Sequence, residues 1–201
     1  CFFEMPSAGD WVMRPELSQA HLNIEDRDLT YEKKVQLQPH IVYLAVSSGL
    51  KVGVTRKTQV PTRWIDQGAH QTIPIVEVPN RYLAGITEVA LKAHYNDKTN
   101  WRQMLTNTPG TMDLVSERKR ALSYLPDEVK DYSSSALQEK TLSLQFPLQS
   151  LPPSVTSVNL VKAKQFTGTL MGVKGQYLIF SDNKVINVRA HEGVCVSLSV
   201  A

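Results

Sequence analysis

HIVYLAVSSGLKVGVTRKTQVPTRWIDQG, residues 40–68, decides how this chain is read. Val42, Leu44 and Val46, then Leu50, Val52 and Val54, all fall on even positions, so two short strands each carry one continuous apolar face. The odd positions, Tyr43, Ala45, Lys51, Gly53 and Thr55, combine a phenol, an ammonium, a hydroxyl and two small residues, a face that could admit a ligand between its polar groups. The two apolar faces coincide only across a loop with an odd number of residues. The Ser47-Ser48-Gly49-Leu50 stretch therefore holds a loop of about three or five residues rather than a two-residue turn. Pro61 opens a helix on which Arg63 and Gln67 lie one turn apart on the same face, where they can point back at Tyr43 and Lys51.

On the amino-terminal side, residues 1–39 read as a mixed arm. Pro15-Glu16-Leu17 followed by Ala20 predicts a short helix and residues 29–37 another, with Glu25, Asp26 and Asp28 as caps or first-turn acids. On the other side, residues 73–78 alternate as a third strand, and Pro74 favours an edge or an end. Asn80 is expected to cap a helix running to about His94, with Leu83, Ile86, Ala90 and, at the edge, Thr87 as its core stripe. Glu88 falls on the opposite side with Arg81 and Lys92; on its own this is an i,i+4 pair worth about a few tenths of a kcal/mol. Asp97 is expected to cap a helix through Trp101, Met104 and Leu105. A further helix covers residues 112–125, and its run Glu117, Arg118, Lys119, Arg120 reads as a solvated face.

Ser, Gln and Leu dominate residues 133–150, and Pro147, Pro152 and Pro153 punctuate the passage into a second unit. Short strands are expected over 155–162, 166–173, 176–180, 184–188 and 194–200, with turns at Asp182-Asn183 and between Gly172 and Gly175, giving a small antiparallel sheet or partial barrel.

At the hairpin and its helix the sequence resembles the GIY-YIG nuclease superfamily. Val42-Tyr43 matches the first signature, Lys51-Val52-Gly53 the second, Arg63 the helix arginine and Glu88 the downstream helix glutamate. HIVYLA, KVGVT, PTRWIDQGA, DKTNW and MGVKGQYLIF are similar to an uncharacterised bacterial family placed in that superfamily, a likeness that covers roughly the middle half of the chain and extends into the second unit. One departure is Lys51, which stands where the superfamily has its second tyrosine. The resemblance implies an α+β fold, a GIY-YIG-like small mixed sheet flanked by helices and followed by a small antiparallel β unit. It divides the chain into an arm (1–39), the α/β domain (40–132) and a linker with the β unit (133–201).

The resemblance also implies chemistry. Glu88 would hold one divalent cation, Mg or Mn; Tyr43 would activate water or relay its proton; Arg63 would neutralise the scissile phosphate; Lys51 would sit beside the phenol as the cation it needs, since an unperturbed phenol titrates near 10. Arg56, Lys57 and Gln67 would extend contacts along the nucleic acid, DNA in the first instance, and Asn100 corresponds to a late asparagine of the superfamily pattern. Related sequences imply a cysteine-rich, zinc-binding segment near the arm. Trp11 and Ser18 stand where its cysteines belong, and Cys1 would be its last trace, which argues against zinc here. His21 and His40 lack ligand spacing and read as structural. Lys174, Gln176, Tyr177 and Arg189 are further candidate contacts, though such residues are ordinary in turns and strands.

Composition bounds these readings. The chain has 201 residues, 42% hydrophobic and 20% charged, enough for one medium domain or two small ones. A net charge of +3 permits a polyanionic partner without demanding one. The 2 cysteines, Cys1 and Cys195, lie at opposite ends and supply no disulfide framework, so a reducing cytoplasm is expected; no apolar run approaches a membrane span. A chain beginning Cys-Phe-Phe reads as the remainder of a longer protein. The expected functions are metal-dependent cleavage of DNA phosphodiester bonds, with two alternatives: a non-catalytic nucleic-acid binder using the same cleft, and a protein-interaction module.

Overall fold

The computed structural model describes residues 5–107, 110, 112–134 and 140–200. The hairpin forms as the alternation requires. β1 (His40–Val46) runs antiparallel to β2 (Leu50–Arg56), with Val42 opposite Val54, Leu44 opposite Val52 and Val46 opposite Leu50, around a three-residue loop. β3 (Gln71–Val78) pairs with the other side of β1, and two residues of β4 (Leu142–Ser143) pair with β3, giving the order β2-β1-β3-β4.

Pro74 therefore lies mid-strand in an interior strand, not at an edge or end. A bulge opposite Val42 and Tyr43 accommodates it, and β4 does not extend this far. The Pro74 and Ile75 carbonyls accept from the Arg118 guanidinium at 2.8 and 3.4 Å. That bond buries Arg118, which corrects its expected place on a solvated face.

Both faces of this sheet are covered. The even face packs under α3 (Arg81–Lys92), α5 (Leu114–Leu122) and α6 (Asp127–Lys130), through Ala84, Leu91, Leu114, Ala121 and Val129. The odd face packs under α2 (Thr62–Asp66), with Trp64, Ala69 and Leu144 closing over Ile41, Tyr43 and Ala45. The Asn80 side chain caps α3 through the Leu83 amide (2.9 Å).

The α3 stripe is Ala84, Thr87 and Leu91, with Leu83 and Ile86 at its margins and Ala90 only half-buried. This rotation from the expected stripe follows from a second partner. The arm, built from short 3-10 turns at Pro15–Leu17 and Ala20–Leu22, lies against Gly85, whose missing Cβ would come 2.4 Å from the Pro15 carbonyl carbon. α1 (Leu29–Gln36) follows, capped by Asp28, and Glu32 accepts the amides of Asp26, Arg27 and Asp28.

α4 (Trp101–Thr106) is capped by Asn100 rather than Asp97; the Asn100 side-chain oxygen accepts from the Arg102 and Gln103 amides. In the second sheet β5 (Thr156–Ser157), β8 (Lys184–Asn187), β7 (Tyr177–Phe180) and β6 (Leu170–Lys174) lie in that order. β5 runs parallel to β8, so the sheet is mixed rather than wholly antiparallel. Asn159 caps α7 (Leu160–Ala163), which ends the expected 155–162 strand after two residues. The alternating run 194–200 forms no strand. A 3-10 turn at Arg189–His191 and Gly193, at φ 81°, precede it, and Val196, Leu198 and Val200 are exposed. Ile179 and Val185 pack on Met104 and Leu105, joining this sheet to α4. Among the described residues no helix is long and apolar enough to cross a membrane.

Candidate functional site

Tyr43 and Lys51 project from the same face of the hairpin, because Tyr43 opposes Gly53 and Ala45 opposes Lys51. Gly53 is needed there: a Cβ would stand 2.8 Å from the Tyr43 hydroxyl, so the ring lies across the outer strand of the sheet. The hydroxyl donates to the Gln67 side-chain oxygen at 3.1 Å, and Trp64 tilts against the ring at 5.5 Å. Tyr43 is wholly buried, and that burial pushes its pKa up to about 12, against the opposing pull of the Arg63 charge and the Gln67 hydrogen bond. A phenol so enclosed stays protonated near neutral pH and positions Gln67; it does not take a proton from water.

Lys51 differs. Only 5% of the residue is exposed, and burial, seconded by the Arg63 charge, pulls its ammonium down to about 8, while Glu88 and Asp97 act in the opposite sense. Neither the Lys51 ammonium nor the Arg63 guanidinium forms a hydrogen bond or ion pair among the described residues. Asn96 fixes the strand beneath Lys51: its carbonyl accepts the Val52 amide at 2.8 Å, extending the sheet edge by one bridge.

α3 covers the opposite face, so Glu88 reaches this group at the sheet's outer edge. Its charge acts on both Tyr43 and Lys51, as does that of Arg63. The four residues singled out by the resemblance thus lie within electrostatic reach of one another. Burial raises the Glu88 carboxyl pKa and the neighbouring Lys92 opposes the rise. The Lys92 ammonium lies 3.6 Å from Glu88 and 3.5 Å from Asp97. Two carboxylates therefore converge on one ammonium, and carboxylate oxygens are the donors a hard divalent cation takes. Among the described residues no three His, Cys, Asp or Glu side chains gather, so any such ion would rest on Glu88 and Asp97 with water completing its shell.

The remaining candidates are dispersed. Lys57 pairs with Glu77 at 2.9 Å, the half-buried Arg56 acts electrostatically on His40 and Arg81, and Gln67 is held by Tyr43. Lys174 is 1% exposed and its ammonium has no hydrogen-bond partner among the described residues, so it is no surface contact. Gln176, Tyr177 and Arg189 line a separate cleft of ≈ 670 Å³ together with Asp66 and His191. His40 is buried, with one ring nitrogen 2.6 Å from the Gln38 carbonyl, and burial lowers its pKa to about 4; His21 stacks on Tyr82. Trp11 and Ser18 are buried, and Cys1 lies outside the described residues.

Sequence reasoning missed Asp97, which it used up as a helix cap. Its place four residues ahead of the Asn100-capped helix leaves it free to meet Lys92. A cleft of ≈ 430 Å³ between Leu50, Lys92, Asn96 and Arg120 opens beside this array.

No curated protein and no solved structure matches the chain. The family described as Protein of unknown function (DUF2797) matches residues 1–196, and with nearly the whole length so covered the chain belongs to that family.

Proposed function

We propose that this protein is a member of the GIY-YIG superfamily that binds a nucleic-acid phosphodiester at the outer edge of the first sheet and hydrolyses it with a divalent cation, DNA being the first substrate to test. The observation that carries the reading is that two cations without a hydrogen bond or ion pair among the described residues, Lys51 and Arg63, stand in one electrostatic group with the carboxylates of Glu88 and Asp97, which converge on Lys92. Arg63 would hold the phosphate and offset charge as the transition state forms. Lys51, whose pKa of about 8 lies near working pH, would handle the proton that the superfamily pattern gives to a phenol. A Mg or Mn ion on Glu88 would supply Lewis-acid stabilisation. Tyr43 and Gln67 would hold α2, and so Arg63, against the hairpin.

Binding without cleavage is the second reading. It is favoured by Lys92, whose ammonium already ion-pairs with both carboxylates and offsets one of their two charges, and by the full enclosure of Tyr43.

A panel of single-stranded, duplex and branched DNA and of RNA, with Mg and Mn, separates the two. Glu88→Gln should abolish metal-dependent cleavage and leave binding nearly intact, whereas Arg63→Ala should weaken both. Cleavage by Glu88→Gln at the unmutated rate refutes the mechanism. Binding with no cleavage under any metal leaves the second reading, and neither activity on any substrate leaves an interaction module.

A further inference from the structure

Lys51 is an unusual lysine. Its stem is buried in the edge strand β2, its amine has neither acceptor nor counter-ion among the described residues, and the charge that acts on it most strongly is another cation, Arg63. Lys174 is the other deeply buried lysine, but its amine is wholly enclosed; the Lys51 amine is not among the enclosed, unpartnered atoms. A desolvated lysine beside a second cation is how proteins keep an amine neutral enough to attack a carbonyl. Arg63 would place a phosphodiester beside that amine, which restricts the carbonyl to one that nucleic acid itself can carry.

We propose that Lys51 is an imine-forming nucleophile whose carbonyl partner is the C1′ aldehyde of an abasic deoxyribose in DNA. The inference rests on the nucleic-acid reading of the same site but needs no metal. In its first step the neutral amine adds to C1′; the carbinolamine loses water and leaves a protonated imine. That iminium acidifies the C2′ proton, which passes to water. The electron pair moves to C2′–C3′, and the C3′–O bond breaks with the phosphate as leaving group. Water then hydrolyses the imine, returns the amine and releases an unsaturated aldehyde on the upstream fragment and a 5′-phosphate on the downstream one. No oxidant or reductant is consumed. The pKa of about 8 is in keeping with this role, since an appreciable fraction of the amine is then neutral at pH 7.5–8.

The test uses the full chain, a duplex carrying one abasic site, and borohydride, with EDTA present throughout. The expected result is a reduced protein–DNA adduct that survives EDTA and that peptide mapping of the unmutated protein places on Lys51. Without borohydride, the strand break should carry the β-elimination ends described above. Lys51→Arg and Lys51→Met should reduce the adduct to background while retaining their circular-dichroism spectra. Mapping on the unmutated protein keeps the answer independent of how those variants fold. An adduct on another amine, or no adduct, overturns the inference, whether or not a gel shift shows the abasic duplex bound. Metal-dependent cleavage of intact DNA without any adduct leaves the hydrolytic reading standing and removes this one; an EDTA-resistant adduct on Lys51 without metal-dependent cleavage does the reverse.

Discussion

Tyr43 and Lys51 are neighbours on one face, yet burial acts on them with opposite chemical results. Desolvation disfavours the charged form of each, so the phenol is pushed up to about 12, out of reach of neutral pH, while the ammonium is brought down to about 8. The same shift predicts a pH dependence of stability. A lysine whose folded-state pKa lies below its unfolded value binds fewer protons folded than unfolded between the two, so stability rises with pH across that interval. Lys51 and Lys174 are both lowered from 10.5 to about 8, and Tyr43 and Tyr95 are raised from 10.0 to about 12, so stability should climb between pH 8 and 10 and fall above it. Lys51→Met should remove a share of that climb on the order of 1–2 kcal/mol, read from urea unfolding at pH 7.5 and 9.5. An unchanged slope would mean that the Lys51 amine is solvated. Gly53→Ala tests the phenol's place: the added methyl meets the hydroxyl, so a loss of about 1–3 kcal/mol and a weakened Tyr43–Gln67 contact are expected in thermal unfolding.

α3 carries the site's carboxylate, and its position is set from two sides. Ala84 and Leu91 press on the sheet, while Gly85 faces the arm so closely that a Cβ would come 2.2 Å from the Glu16 amide nitrogen. Arg81 fastens the arm further by donating to the Trp11 and Val12 carbonyls at 3.1 and 2.7 Å. Because backbone cannot step aside as a side-chain tip can, Gly85→Ala should detach the arm. Limited proteolysis should then cut within residues 5–24 much faster than in the unmutated chain, with stability lowered by about 2 kcal/mol or more. Unchanged proteolysis would place the arm elsewhere. The helix stripe was expected one step away from where it lies because a period of 3.6 reveals one apolar face but not a second partner of turns and backbone.

Across the whole molecule the second sheet docks through its turn and one apolar patch. Gly175, at φ 59°, lets the 174–177 turn press on the Asp66 and Gly68 backbone, and Trp101 stacks on Tyr177 at 5.5 Å. Lys174 enters this seam without a hydrogen-bond partner among the described residues; burial lowers the pKa of His70 and the Lys174 charge lowers it further, and an enclosed His70 ring nitrogen is likewise unpartnered there. An isosteric apolar chain avoids that desolvation, so Lys174→Met should stabilise the protein by about 1–3 kcal/mol in urea. A loss would reveal an acceptor in the seam. The hairpin, its three-residue loop and the shared face of Tyr43 and Lys51 were all legible in residues 40–56, because period-two alternation and loop parity are local constraints. Likewise Asn80 announced its helix, and Glu25, Asp26 and Asp28 together announced α1, of which Asp28 is the cap. The rest lay beyond local pattern. Pro74 became interior because a bulge takes up its missing donor, while Arg118 satisfies the carbonyls there; the 194–200 run alternates like a strand but pairs with no edge; and Asp97 reads as a cap until Lys92 is seen beside it. Alternation and capping depend on neighbours a few residues away, so the sequence by itself determined them. Which strand has an open edge, which cation has lost its water and which carboxylates share one ammonium depend on contacts between residues distant in sequence, and those only the tertiary structure decided.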